Sequence, residues 1–321
     1  MNFGIGLPIR GPLTTPENLL TMAQHGEDLG FNFVSLPDHI FVPNTVQSKY
    51  PYSETGKFTG KGECVEQLTT LSFLAAKTST LRLLTGVLVL PLRNPVLTAK
   101  MLASIDILSN GRLTVGCGVG WMQEEFKALD APPFDKRGDV GNEYIRAFKE
   151  LWTKDDPTFD GNYCRFTDVT FLPKPIQKPH PPIWVGGESP RALRRAALLG
   201  DGWYPIRNNP SFPLQTLDQF SNSVSRLRRY SEEAGREPTE VDLAYNAVNW
   251  NECHEEILPN GQRRPFTGNP GQIREDIRSF EELGVRHMLF GFQEDTLDKT
   301  LNQMDRFSTH FICHETLKPD K

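Results

Sequence analysis

Asp38 and His39 stand side by side directly after the apolar run Phe33-Val34-Ser35-Leu36. An acid next to an imidazole can fix a ring tautomer or tune a proton transfer, so this pair is the first candidate for acid–base chemistry. The other histidines (His25, His180, His254, His287, His310 and His314) fall on helices, tails or linkers without an H-E-x-x-H spacing. No metal site is expected. Gly186-Gly187-Glu188-Ser189-Pro190-Arg191 joins two glycines, a helix start, a hydroxyl and an arginine, a combination suited to a phosphate. Glu188 has the wrong charge for that role, so its backbone N–H is expected to face the anion, with Ser189 and Arg191 assisting. Gly116-Cys117-Gly118-Val119-Gly120-Trp121 lacks the sixth-position glycine of a dinucleotide fingerprint. Gly118 and Gly120 still leave room for a planar ring to approach the backbone, or else make a tight turn under Trp121. Gly86 interrupts the run Leu84 to Leu90, marking either a β-bulge or a surface against which a flat ring lies.

The elements that must position these groups follow a repeated pattern. Thr15-Pro16, Asn94-Pro95, Ser189-Pro190 and Asn269-Pro270 each put a capping side chain before a proline, and so each predicts a helix start. Gly30, Gly111, Gly200 and Gly284 are expected to end these helices in the left-handed conformation. Short apolar runs flank every unit: Phe3–Leu7, 33–36, Leu83–Leu90, 113–115, 183–185, 203–204, 243–248 and 287–290. With further helices over 64–79, 142–153, 214–234 and 296–311, the tally is eight strands alternating with eight helices, the pattern of an α/β (β/α)8 TIM barrel. The chain is read as one barrel domain over 1–321, with a lid loop over 37–62, an insertion hairpin over 155–182 and an insertion loop over 249–268. A long connection over 119–141 also follows the fourth strand, on the face where such barrels build their sites.

Composition narrows the classes further. Apolar residues make up 38% and charged residues 23%, with 20 Phe and 5 Trp, so a large core can form. The net charge of −5 lacks the basic excess that nucleic acid or anionic lipid would require, so neither nucleic acid nor membrane is an expected partner. Five scattered cysteines without a C-x-x-C, no signal-like amino terminus and no long apolar stretch lead to the expectation of a cytoplasmic, reducing setting. Glu124, Glu125 and Glu188 are the nearest carboxylates for a two-carboxylate hydrolase, but their spacing does not establish the necessary separation.

Taken in order, these pieces resemble the luciferase-like monooxygenase superfamily of flavin and deazaflavin enzymes. The resemblance runs from Phe3–Leu7 through Leu36-Pro37-Asp38-His39, the stretch 85–95, Leu108-Ser109-Asn110-Gly111-Arg112-Leu113, Gly116 to Trp121 with Glu124-Glu125-Phe126, and 182–187 to Asp201-Gly202-Trp203. It is nearest to the branch described as using coenzyme F420, with FMN as the alternative. It implies an oxidoreductase that passes hydride between a deazaflavin and a small organic substrate, or else an FMN monooxygenase fed by a reductase. A cofactor-binding paralogue without activity is a third reading. The resemblance further implies a cis peptide at Gly86-Val87, with Gly86, Val87 and Leu88 backing the ring, phosphate contacts at Gly187, Glu188 and Ser189, and a homodimer. It puts His39 near the redox centre as proton donor or acceptor, with Asp38 orienting it or hydrogen-bonding the cofactor ring. Phe41, Tyr50, Tyr52 and Phe58 would wall the pocket, and Lys57, Lys61, Arg263 and Arg264 would meet the acidic tail of F420.

Overall fold

The computed structural model describes residues 1–60 and 62–313. Eight parallel strands close into a barrel: β1 (Asn2–Gly6), β2 (Phe33–Leu36), β3 (Arg82–Thr85), β4 (Leu113–Gly118), β5 (Ile183–Gly186), β6 (Gly202–Tyr204), β7 (Asp242–Val248) and β8 (Val285–Gly291). Each strand pairs with the next, and β8 returns to β1, with Gly4 opposite Leu289. Helices α1 (Pro16–Asp28), α2 (Gln67–Ala75), α3 (Pro95–Leu108), α4 (Arg137–Thr153), α5 (Pro190–Leu199), α6 (Leu217–Glu233), α7 (Pro270–Glu282) and α8 (Leu297–Phe307) cover the outside.

The four proline starts work as their chemistry demands. The side chains of Thr15, Asn94, Ser189 and Asn269 each accept a backbone N–H three residues on, which satisfies one orphan donor of the first turn. Gly30, Gly111 and Gly284 have φ of 84°, 79° and 101°, the left-handed stop. Gly200 does not. It is extended at φ −87°, and it must be glycine because a Cβ there would lie 2.9 Å from Val185 and 3.1 Å from the Ala196 and Gly202 carbonyl oxygens. Helix α4 begins at Arg137 rather than near 142, since Gly138 and Gly141 weaken the helical signal while packing against Arg195 and Val119. The connection after β4 also holds a short helix, Gln123–Ala128, that the polar sequence concealed.

Inside the barrel, Phe33, Leu84, Trp184, Tyr204, Ala244 and Leu289 form a separate core, with Val87 packed on it from above. The third strand is broken there. Leu84 pairs with Thr114 while Leu88 pairs with Cys117, so four steps on one side oppose three on the other, and the extra residue sits at the cis peptide between Gly86 and Val87. Gly86 also meets a packing demand, because a Cβ there would lie 1.9 Å from Ser35 Oγ on β2. A buried carboxylate, Glu143 of α4, accepts the backbone N–H groups of Asn162, Tyr163 and Cys164 and so holds the hairpin Phe159–Asp160/Arg165–Phe166 of the 155–182 insertion. No helix among the described residues is long and apolar enough to cross a membrane.

The fit of β3 against β4 has a direct test. A methyl group on Gly116 would lie 2.1 Å from the Thr85 carbonyl oxygen, a backbone atom in the barrel wall. Gly116→Ala is expected to destabilise the protein by about 1–3 kcal/mol, the usual cost of overpacking. The shift of the urea midpoint reads it; an unchanged midpoint contradicts this packing.

Candidate active site

The carboxyl ends of β2 to β6 converge on one mouth, with the loop 37–62 over it. Asp38 is buried there, but its carboxylate does not reach toward His39. Arg93 donates to both oxygens, at 2.6 and 2.8 Å, and the Val89 backbone N–H donates to Oδ2 at 2.8 Å. Arg93 extends to Glu66 at 2.8 Å, so Asp38 belongs to a buried network that locks the end of β2 to the chain leaving β3. The expected orienting role falls instead to Glu125, which sequence reasoning did not connect with His39. Glu125 Oε2 lies 3.0 Å from His39 Nδ1, and its Oε1 accepts the Ile40 N–H at 3.1 Å. This contact fixes the ring's orientation, and with Nδ1–H donating to the carboxylate the neutral imidazole keeps Nε2 as its basic nitrogen. The rings of Phe58 and Trp121 stand 5.4 and 6.1 Å from His39 and form a roof with Tyr50. Phe41, expected in this wall, makes no ring contact among the described residues, and Lys61 lies outside them.

Glu124, one residue earlier, holds the roof down. Its carboxylate accepts the Gln47 and Ser48 backbone N–H groups at 2.6 and 3.0 Å and the Ser48 hydroxyl at 2.7 Å. Burial would raise this carboxyl, but the Ser48 hydroxyl and these amides outweigh it and bring it down to about 2. Two adjacent acids on one short helix therefore hold the lid and the imidazole, not the two ends of a scissile bond.

The glycines expected to admit a ring are filled by the protein itself. A Cβ on Gly118 would meet Val87 Cγ2 at 2.7 Å, and one on Gly186 would meet Val87 Cγ1 at 2.8 Å, so both exist to seat Val87. Gly120 serves Phe126 and Val89 in the same way, each at 2.8 Å. Val87 and Leu88 then follow the kink at the mouth, Leu88 fully buried and Val87 on the barrel core.

At the start of α5, Gly187 has φ 101° and its carbonyl accepts the Trp203 indole N–H at 2.9 Å. Ser189 caps the helix through Ala192 N at 3.2 Å. Arg191 is exposed beside it and lies close enough to Arg137 to depress the latter's basicity, after burial. Arg195, buried on the same helix, donates to Asn142 at 2.6 Å and to the Gly138 carbonyl at 3.0 Å. None of these three arginines forms an ion pair among the described residues. Three cations at two helix starts, with Asp135 and Asp139 nearby but not in ion-pair contact, fit a phosphate-bearing cofactor. Sequence reasoning missed Arg137 and Arg195 because only the fold brings α4 to α5. The Glu188 carboxylate turns away from this corner to accept Ile206 N at 2.8 Å and Asn209 Nδ2 at 2.7 Å. Burial without a cation pushes it up to about 7.

The arginines expected to meet an acidic tail are occupied. Arg263 makes a two-point pair with Asp276 at 2.6 and 2.8 Å, and Arg264 pairs with Glu256 at 2.8 Å.

A family model described as luciferase-like monooxygenase matches residues 1–256. The chain belongs to the luciferase-like monooxygenase family. Over 146 residues, 45% of this chain, it is 40% identical to an FMNH2-dependent dimethylsulfone monooxygenase of Pseudomonas putida, and the matched stretch spans only 40% of that relative. An uncharacterised protein of Mycobacterium tuberculosis is 33% identical over 227 residues, 70% of this chain and 75% of the relative. Among solved structures, the monooxygenase RslO1 from Streptomyces bottropensis superposes with a TM-score of 0.75 at 25% identity, covering 98% of this chain and all of that one. The coenzyme F420-dependent tetrahydromethanopterin reductase of Methanopyrus kandleri, at 0.73 and 18% identity over 98% of this chain and 99% of its own, shares the fold.

Two substitutions check the electrostatics of the site. Asp38→Asn leaves the buried Arg93 guanidinium short of its main counter-charge and is expected to cost on the order of 3 kcal/mol in urea unfolding; a loss under about 0.5 kcal/mol would contradict the network. Glu188 keeps its proton up to about pH 7 when folded but releases it near 4.5 when unfolded. The native state thus holds more protons across that interval, and stability falls as pH rises through it. Glu188→Gln is expected to flatten that fall between pH 4.5 and 8; an unaltered slope would place the titration elsewhere.

Proposed function

We propose that this family member is a monooxygenase that uses reduced FMN supplied by a separate reductase, and that His39 is its proton-handling residue. The observation that carries the reading is the pattern of paired and unpaired cations. Arg137, Arg191 and Arg195 gather where one phosphate would sit, with Asp135 and Asp139 in their field but no ion pair among the described residues, whereas Arg263 and Arg264, two of the cations expected to meet an oligoglutamate tail, are tied to Asp276 and Glu256, which leaves Lys57 as the free cation of that set among the described residues. The FMNH2-dependent relative supports it from the side of sequence.

Reduced FMN, when bound, supplies two electrons and lets O2 be activated. Ser189, the start of α5 and the three arginines would hold the phosphate, and Val87, seated between Gly118 and Gly186, would back the ring. Glu125 keeps His39 in one orientation, so that its second nitrogen can give or take a proton without reorganising. Tyr50, Phe58 and Trp121, pinned through Glu124 to residues 47 and 48, exclude water above it. The substrate is a small organic molecule admitted beneath this roof, and dimethylsulfone is the first to try.

Anaerobic titration of the protein with reduced FMN, reduced riboflavin and reduced F420 tests the reading. Reduced FMN is expected to bind, and Arg137→Ala with Arg191→Ala to weaken it about tenfold or more, the size of a lost charge-assisted contact, while riboflavin changes little. Tight binding of F420 with none of reduced FMN overturns the proposal and restores hydride transfer to a deazaflavin.

A further inference from the structure

The opposite end of the barrel, where the strands begin, carries a cavity that neither the fold nor the proposed chemistry uses. An outer pocket of about 240 Å³ opens between Asn32, Phe33, Thr80, Arg82 and His287. A chamber of about 10 Å³, room for a single oxygen, lies against Arg82, His287, Thr114 and Trp184. The inner chamber is walled by apolar atoms, and the outer pocket has donors on its rim. Arg82 uses Nε and Nη2 on Thr114 Oγ1, the Leu113 carbonyl and Gln177 Oε1, all neutral acceptors, and forms no ion pair among the described residues. Its Nη1 is left over. The indole N–H of Trp184, a residue 5% exposed, has no acceptor among the described residues. Asn32 spends its oxygen on Phe3 N at 2.8 Å, which leaves its amide N–H groups. His287 Nδ1 faces Asn2 Nδ2 at 3.4 Å, so the neutral ring carries its proton on Nε2.

Buried donors without acceptors are costly, and an arginine that reaches its nearest acid, Asp106, only through Gln177 can take an anion at the edge of a cavity. The walls are flat: Phe33, Trp184 and His287 meet one another at ring-centroid distances of 4.6 to 6.4 Å. We propose that the amino-terminal end of the barrel is a second binding site, for a small planar carboxylate whose oxygens reach Arg82 in the outer pocket while its ring lies against Phe33. The site is remote from the flavin-side mouth and is independent of which cofactor that mouth takes.

The surroundings of His287 supply a reporter. Burial, then Arg82 of β3, Arg286 of its own strand and the amino terminus on β1 hold its basicity down to about 4. Asp242 of β7 and Glu281 of α7 are partnered with Arg286 and the amino terminus, at 3.8 and 3.2 Å. An anion seated beside Arg82 must raise it, and by reciprocity the ionised form of the ligand must bind more tightly to the protonated ring.

The test is calorimetric titration of the full-length protein with benzoate, and with neutral benzamide, alongside NMR titration of His287. Saturable binding of one benzoate is expected, with benzamide at least about tenfold weaker and the His287 midpoint displaced upward by about one unit at saturation, the reciprocal of a tenfold linkage. Arg82→Gln is expected to abolish the binding. Should that variant fail to fold, Thr80→Trp fills the pocket from its exposed rim and is expected to do the same with Arg82 intact. Absence of binding to the parent protein, equal affinity for benzamide, or benzoate binding that survives Thr80→Trp would each overturn the proposal.

Discussion

Asp38 is the point on which the mouth of this barrel depends. Its carboxylate is fully sequestered and accepts three hydrogen bonds, two from Arg93 and one from the Val89 amide. Those donors lie beyond the kink in the third strand, while Asp38 lies two residues past the end of the second, so a single side chain ties the ends of two strands together. Desolvating such a pair is expensive, and what makes it stable here is that each charge finds several partners at once. The position of the next residue, His39, and the seat of Val87 between Gly118 and Gly186 are consequences of that lock. The Asp38 carboxylate, next in sequence to His39, is spent on Arg93 and Val89 rather than on the imidazole.

The same economy shows in Glu124 and Glu125. Neighbours on a short helix point in different directions, so one acid reaches the lid at residues 47 and 48 while the other reaches the imidazole. The loop at residues 47 and 48 and the His39 ring are thereby referenced to one short helix. Displacing that helix would move both, which couples closure of the roof to alignment of the ring.

Much of this was readable from the sequence because it rests on local chemistry. A capping side chain before proline has one good use, and all four instances start helices; the alternation of apolar runs with those helices leaves few options but a closed barrel. Gly200 shows where local reading stops: it looks like a helix stop, but its reason lies in Val185 and in backbone it meets only after folding. Gly118 and Gly186 likewise mark a close approach, and only the fold reveals that the approaching group is Val87. Glu125 and His39 are 86 residues apart, and Arg137 and Arg191 belong to different helices, so no spacing could join them. For Arg263 and Arg264 the limit is the converse, since a basic pair in a loop does not reveal the acids that meet it, Asp276 on the following helix and Glu256 in the loop itself.

The central claim is that Glu125 makes His39 competent by orienting it, and so acts as a positioning residue. The most direct measurement is the pH dependence of turnover for the parent protein, Glu125→Gln and His39→Ala, with reduced-cofactor affinity determined in parallel. For both variants, the account expects turnover to fall about 100-fold or more, the scale of lost acid–base catalysis, with affinity within a few-fold of the parent. The limb of the profile set by His39 should move in Glu125→Gln and vanish in His39→Ala. Full turnover with an unshifted profile in Glu125→Gln, or equal losses of turnover and affinity in His39→Ala, would contradict it.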